Sequence, residues 1–437
     1  MRLFAFLFLG VSSLLAQPGQ KWVASWTAPV QGPYPMGNAS AQPNLSFAFP
    51  AAVVGARDQT FRLIVQPDFW GRQVRLHFSN DFGTRPVTFD GVFAGLHLGG
   101  GAVVGGTNQA VRFGGKDRVS IPPGASVWSD PVELPFVNDA AAVSLAGRKL
   151  AVSFHVVGES GPMTWHAKAL TTSYVSRPGA GAKGHLDDES AFPFTTTSWY
   201  FLDAVDVMAL AATRVVVAFG DSITDGTAST LNGEDRWPNA LSRRLHAAYG
   251  NRVSVVNAGI GGNQVVGPAE YTAEKPFAGG PSALQRLVRD VIGLSGVSTV
   301  IWLEGINDLG AGATVESIQN GMKEAVRLMR ARVPGVRIIG ATVVSALGNA
   351  SANHGSEQED GKRQTLNQFI RGGDLFDGVA DFDRATVDPQ TGGLRPEFVP
   401  DSTIGGPGDK LHPNRAGYLA MAEAVDLKLL LPAEVTR

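Results

Sequence analysis

The chain has 437 residues, 44% of them hydrophobic and 17% charged, with a formal net charge of −2 and no cysteine. That composition is globular and long enough for two domains, and the near-neutral charge gives no reason to expect nucleic acid or an acidic membrane as partner. A chain without cysteine has no disulfides, thiol nucleophile, zinc–thiolate site or lipoprotein anchor.

Met1-Arg2 supplies a positive charge, residues 3–15 are almost wholly apolar, and Ala16 is a small residue at a cleavage point. Residues 1–16 therefore read as a signal peptide, and the protein as secreted or periplasmic. The run is too short to span a bilayer, and no other segment reaches about 18 uninterrupted apolar residues. No stable membrane anchor is expected.

From residue 20 to residue 208 the pattern is strands and turns. Residues 73–79 alternate polar with apolar side chains, as a half-buried strand does, and 149–157 is a second such segment. Breaks such as Gly99-Gly100-Gly101 and Ile121-Pro122-Pro123-Gly124 separate them. Short strands at turn-punctuated spacing predict an all-β, jelly-roll-like sandwich domain. Trp22, Trp26, Trp70, Trp128, Trp165 and Trp199 fall here. They are expected to fill the sandwich core and its contact with the next domain, with a stacking face for carbohydrate as the alternative.

From residue 213 to residue 437 the grammar changes. Val215-Val216-Val217-Ala218-Phe219 is a short continuous apolar run, the mark of a strand buried on both faces, and it ends in Gly220-Asp221-Ser222. A helix is predicted over 237–249, a strand over 252–257 and a helix near 281–293 with Pro281 in its first turn. Strand 298–303, helix 315–332, strand 336–344, helix 357–371 and strand 379–382 follow. Asp409-Lys410-Leu411-His412-Pro413 opens a last helix. Strands alternating with helices predict a doubly wound α/β domain with a parallel sheet.

The ends of the first three strands carry the chemistry. Ser222 supplies a hydroxyl, Gly262 a backbone N–H with no side chain in the way, and Asn307 a carboxamide N–H. Acyl transfer needs such donors at the oxygen that becomes negative. A serine also needs a base. Of the eight histidines only His412 follows an aspartate by three residues, so Asp409 can fix the imidazole tautomer that faces Ser222. Taken alone, Gly-Asp-Ser is also a turn with a helix cap, and Asp-x-x-His a helix-start ion pair.

Gly220-Asp221-Ser222, Gly262 within 257–263, Gly305-Ile306-Asn307-Asp308 and Asp409-Lys410-Leu411-His412-Pro413 together resemble the four blocks of the SGNH/GDSL hydrolase family. The resemblance runs from about Arg214 onward. It implies a serine esterase on a flavodoxin-like sheet without a metal or other cofactor. Ser222 would be the nucleophile, His412 the base and Asp409 its orienting acid, and the Ser222 amide, Gly262 and Asn307 would form the oxyanion hole. Ile223 stands where the family's name-giving pattern has leucine. The front half resembles, over residues 121–132 and 198–202, the β-domain that precedes the catalytic domain in some secreted bacterial members.

Rival chemistries lack their residues. Gly259-Ile260-Gly261-Gly262 would need its third dinucleotide glycine at Gln264. There is no G-x-S-x-G elbow and no H-E-x-x-H. His354 with Glu357 and Glu359 reads as a polar loop. Asp381, Asp383 and Asp388 read as strand-end and loop residues rather than glycosidase carboxylates. The expectation is a secreted carboxylic ester hydrolase that forms an acyl-serine and deacetylates a polysaccharide, an oligosaccharide or another short-chain ester. A lipase- or lysophospholipase-type esterase on longer chains is the alternative, because acyl-pocket depth depends on loops 262–280 and 383–408. A non-catalytic carbohydrate-binding protein is the rival from another class.

Overall fold

The computed structural model describes residues 19–138, 144–272 and 275–431; the signal peptide assigned to residues 1–16 lies outside the described residues. The N-terminal region is all-β. In strand Gln73–Ser79, Val74, Leu76 and Phe78 are buried while Gln73, Arg75 and His77 between them are half-buried, the period-2 pattern of the sequence. This strand lies in an antiparallel sheet ordered Gln20–Thr27, Leu202–Leu210, Gln73–Ser79, Val132–Glu133. A second antiparallel sheet centres on Leu150–Glu159, between Arg57–Val65 and Val87–Gly99.

Aromatic rings join the two sheets. Phe78 of the first lies 5.3 Å from both Phe89 and Phe154 of the second, and Phe154 stacks on Phe61 at 5.2 Å. Such pairs add about 0.5–1.5 kcal/mol each beyond their burial. Trp26, Trp70, Trp165 and Trp199 are buried. Trp22 and Trp128 are half-buried and hold the Arg75 guanidinium between them, 4.9 and 4.1 Å from the ring centres. None of the six is among the exposed large hydrophobic side chains.

The C-terminal sheet is parallel: β1 (Arg214–Gly220), β2 (Val253–Gly259), β3 (Val297–Leu303), β4 (Arg337–Ala341) and β5 (Gly378–Ala380). The spatial order is β2-β1-β3-β4-β5, the flavodoxin-like order, which reverses direction at β1 and opens a crevice beyond its carboxyl end. Alternate residues of β1 serve two cores. Val216 and Ala218 pack in the cluster that holds Trp237, Leu241 and Tyr418. Val215, Val217 and Phe219 belong to a cluster that continues into the N-terminal region.

Four predicted boundaries shift because side chains take over from the backbone. The helix Ala283–Leu287 starts after Ser282, whose hydroxyl accepts from the Gln285 N–H while the Gln285 side chain accepts from the Ser282 N–H. This capping box puts Pro281 before the cap rather than in the first turn. β4 stops at Ala341, and Asn367 then accepts from the Val343 N–H and donates to the Val343 carbonyl. Phe382 begins a short helix capped by Asp381, and the last long helix begins at Arg415 behind Asn414.

The two regions meet where strand Gln20–Thr27 passes the edge strand β2. Ser254 Oγ donates to the Ala24 carbonyl and Thr27 Oγ1 to the Asn257 carbonyl, both at 2.7 Å. The Ala24 N–H donates to the Ser295 carbonyl at 2.9 Å.

Candidate active site

β1 delivers Ser222 through a tight turn. Asp221 caps the four-residue helix Ser222–Asp225 by accepting from the Ile223 N–H at 3.0 Å, and Gly226 ends it with a φ of +106°. Gly259, at the end of β2, makes room for this turn: a Cβ there would lie 2.3 Å from the Asp225 nitrogen. Burial pushes the Asp221 carboxyl up to about 7, although the cap bond from the Ile223 N–H works against it.

The loop before the last helix brings the candidate base, His412. Ser222 Oγ lies 2.8 Å from His412 Nε2, and His412 Nδ1 lies 2.6 Å from Asp409 Oδ2. Asp409 Oδ1 accepts from the Leu411 and His412 backbone N–H groups, both at 2.9 Å. Burial by itself would raise the Asp409 carboxyl, but the hydrogen bond and charge of His412 outweigh it and hold the group well below the usual carboxylate range. An ionised Asp409 fixes the proton on Nδ1 and leaves Nε2 to accept from Ser222.

Gly262 and Asn307 lie three and four residues beyond the ends of β2 and β3, the two strands that flank β1. Gly262 has a φ of +82°, which side-chain-bearing residues resist. Asn307 Nδ2 donates to the Asn263 carbonyl at 3.0 Å, which fixes the carboxamide and leaves its second N–H. Asp308 holds the neighbouring loop by accepting from Val265 and Val266, and burial pushes its carboxyl up to about 6. Glu304, just after the end of β3, accepts from Trp302 Nε1 through one oxygen, has no partner for the other among the described residues, and is pushed by burial up to about 8.

Other members of this frame escape sequence reading. Arg286 is fully buried and donates to the Gly220 and Ala258 carbonyls at 2.8 Å and to Asn263 Oδ1 at 2.7 Å. It thus ties the end of β1 to β2 and to the loop that holds Gly262. The N-terminal region contributes three more side chains. Asp225 accepts from the Gly261 N–H through one oxygen and faces His166 Nε2 at 3.1 Å through the other. Lys168, 4% exposed, donates to Thr227 Oγ1 at 2.5 Å, and a Cβ on Gly261 would lie 3.4 Å from its Nζ. Burial lowers the Lys168 ammonium, and Asp225 works against that. Asn38 Nδ2 donates to the Gly261 carbonyl at 3.3 Å and would lie 2.9 Å from a Cβ on Gly262. The sequence carries no local signal for these groups; only the fold brings them to the loop.

Two expected bystanders are structural. Asp381 caps its helix and pairs with Arg371, and Asp383 pairs with Arg363 and Arg371. Loop 262–280 contains two residues outside the described ones, whereas 383–408 is described throughout.

Residues 218–420 match the model of the GDSL-like Lipase/Acylhydrolase family. No curated protein matches the sequence. Solved structures similar to this one include a carbohydrate acetylesterase family member from Sinorhizobium meliloti, 18% identical with a TM-score of 0.37, covering 48% of this chain and 95% of that one. A GDSL-like lipase from Bacteroides thetaiotaomicron is 19% identical with a TM-score of 0.35, covering 49% of this chain and 85% of that one. A member of the lipolytic protein G-D-S-L family from Veillonella parvula is 17% identical with a TM-score of 0.35, covering 48% and 96%.

Proposed function

From the premise that residues 218–420 are a GDSL-like lipase/acylhydrolase domain, we propose that the protein is a secreted or periplasmic serine esterase with Ser222, His412 and Asp409 as its triad. The observation that carries the reading is the continuous hydrogen-bonded chain from Ser222 Oγ through His412 to Asp409. Ser222 Oγ attacks the ester carbonyl as His412 Nε2 takes its proton. The Ser222 and Gly262 N–H groups and the Asn307 carboxamide receive the oxyanion. His412 then protonates the departing alcohol oxygen, and the acyl group remains on Ser222. A water activated by the same imidazole attacks the acyl-serine, releasing the acid and restoring the hydroxyl.

The substrate we propose is an acetyl or other short-chain ester of a polar, hydroxyl-rich alcohol such as an oligosaccharide or polysaccharide. A polar side chain from the N-terminal region, which we read as a jelly-roll-like sandwich, supports this by flanking the loop that holds Gly262: the exposed Asn38 carboxamide offers a donor to hydroxyl groups. One observation favours a second reading. A recess of about 510 Å3 beside Lys410 has Leu347, Leu394, Val399 and Pro400 in its wall, and it would suit a longer acyl chain.

The test compares p-nitrophenyl acetate hydrolysis by the wild type and Ser222→Ala. The substitution is expected to reduce kcat by about 10⁴-fold or more; equal rates would overturn the esterase reading. A chain-length series beside acetylated xylan then separates the substrates. Turnover that rises with acyl length favours the longer-chain reading.

A further inference from the structure

The direction of the Gly262 N–H depends on a single peptide. The Asn263 N–H donates to the Ile260 carbonyl at 3.1 Å, which closes a β-turn with Gly261 and Gly262 at its centre. Gly262 has a φ of +82° while Gly261 stays out of the positive-φ region, the signature of a type II turn. Types I and II differ by a flip of the central peptide, and a Gly-Gly pair adopts both at little cost. The Gly261–Gly262 peptide is trans, so its carbonyl and its N–H point in opposite directions. A flip to type I would reverse both.

The surrounding bonds select one of the two states. The Ile260 N–H donates to the Gly220 carbonyl at 3.0 Å, which anchors the turn to the end of β1. Asp225, buried, accepts from the Gly261 N–H at 2.8 Å. Its other oxygen lies 3.1 Å from His166 Nε2, and His166 Nδ1 lies 2.9 Å from the Pro29 carbonyl, so the N-terminal region fixes this carboxylate in turn. Asn38 Nδ2 donates to the Gly261 carbonyl at 3.3 Å. That carbonyl belongs to the same peptide as the Gly262 N–H, and a flip would break the bond. Of the four N–H groups from Ile260 to Asn263, only that of Gly262 has no partner among the described residues.

We infer that Asn38 and the His166–Asp225 pair are positioning residues that lock the Gly261–Gly262 peptide in the orientation that leaves the Gly262 N–H for the oxyanion. The N-terminal region thereby sets the oxyanion hole without touching the reacting atoms. The inference rests on the esterase reading. A donor held in advance costs no reorganisation when charge develops, so the hold acts on kcat rather than on ground-state binding.

The test is hydrolysis of p-nitrophenyl acetate, which has no hydroxyl for Asn38 to bind, by Asn38→Ala, Asp225→Ala and Asp225→Asn. Rates are taken per Ser222 titrated with an alkyl fluorophosphonate, so that loss of folded protein does not count as loss of kcat. Asn38→Ala, at an exposed position, should lower kcat about tenfold with KM changed less than about twofold. Asp225→Ala should lower kcat by about 10²-fold, and Asp225→Asn, whose carboxamide oxygen still accepts from Gly261, should recover most of the loss. Affinity for phenylboronic acid, whose tetrahedral adduct on Ser222 presents an oxygen to the same donors, should fall in each variant by the same factor as kcat. If Asp225→Ala does not fold, Asn38→Ala decides. Unchanged kcat in the folded variants, or a loss that falls on KM and leaves boronate affinity intact, overturns the inference alone. A wild type whose Ser222 neither reacts with the fluorophosphonate nor turns over ester overturns the esterase reading and this inference with it.

Discussion

Two buried arginines show how the two regions differ. Arg62 of the N-terminal sheet and Arg286 of the catalytic domain are both fully buried, and each stands 4.3 Å above a phenylalanine ring, Phe192 and Phe219 respectively. Each donates to backbone carbonyls. Arg62 binds those of Gly101, Leu186 and Asp188, and so gathers loops. Arg286 binds those of Gly220 and Ala258, at the ends of the strands that carry Ser222 and Gly262. Burial lowers both guanidinium groups, that of Arg62 to about 10. Arg286 also meets the Asp290 carboxylate at 3.3 Å, whereas Arg62 donates to the Ser153 hydroxyl, but the contrast that matters is which carbonyls each holds. A parallel sheet sends several strand ends to one edge, so a staple there becomes part of a site. The antiparallel sheets send successive ends to opposite edges, and their polar groups reach the candidate site where they touch the loop at Gly261 and Gly262.

The largest effect that sharpens this contrast belongs to Asn307→Ala, which should lower kcat for p-nitrophenyl acetate by about 10²–10³-fold with little change in KM. A loss spread equally between kcat and KM would remove Asn307 from the oxyanion hole. Next come the two staples. Arg62→Met and Arg286→Met should each lower stability by about 1–3 kcal/mol in urea melts, because carbonyls are left unsatisfied. Only Arg286→Met should also lower kcat of the folded protein, by about tenfold or more. Equal kcat in the two variants would erase the distinction between the regions.

Lys168→Met tests whether the N-terminal region reaches the chemistry. Removing a fixed positive charge beside Gly261 should reduce kcat by about tenfold, or about 1.4 kcal/mol. Lys168→Arg should restore part of it, and an unchanged kcat would make Lys168 a packing residue. The smallest expected effect is at Glu304, whose carboxyl burial raises to about 8 from an ordinary value of 4.5. Between those values the folded state holds a proton that the unfolded state has lost, so this group's contribution to stability falls as pH rises. The melting temperature of Glu304→Gln relative to wild type should therefore increase from about pH 5 to about pH 8. A difference that is constant with pH would show that Glu304 is ionised in the folded protein.

Local pattern made much of this protein readable. Alternation along residues 73–79, the apolar run before Gly220, and the three-residue spacing of Asp409 and His412 depend on neighbours in the chain. For those neighbours strand pleat and turn geometry dictate which side chains share a face. The strand ends bearing Ser222, Gly262 and Asn307 follow from the same logic, because a βα alternation can only place them on one edge. The boundaries that moved did so where Ser282, Asn367, Asp381 and Asn414 replaced backbone hydrogen bonds with their own.

The sequence by itself determined the two classes of sheet, the alternation of strands and helices after residue 213 and the Asp409–His412 pair, all features written in periodicity and short spacing. The flavodoxin-like sheet and the joining of Ser222 to that pair followed from the resemblance of the four motif blocks. The tertiary structure alone decided that Asn38, His166 and Lys168 stand around the loop at Gly261 and Gly262 and that Arg286 staples the strands beside it. Lys168 and Thr227 are 59 residues apart, and Asn38 and Gly261 are 223 apart. At such separations no local preference links two residues; burial of the apolar surface shared by the two regions brings them together, and the polar groups caught in that contact must then find partners.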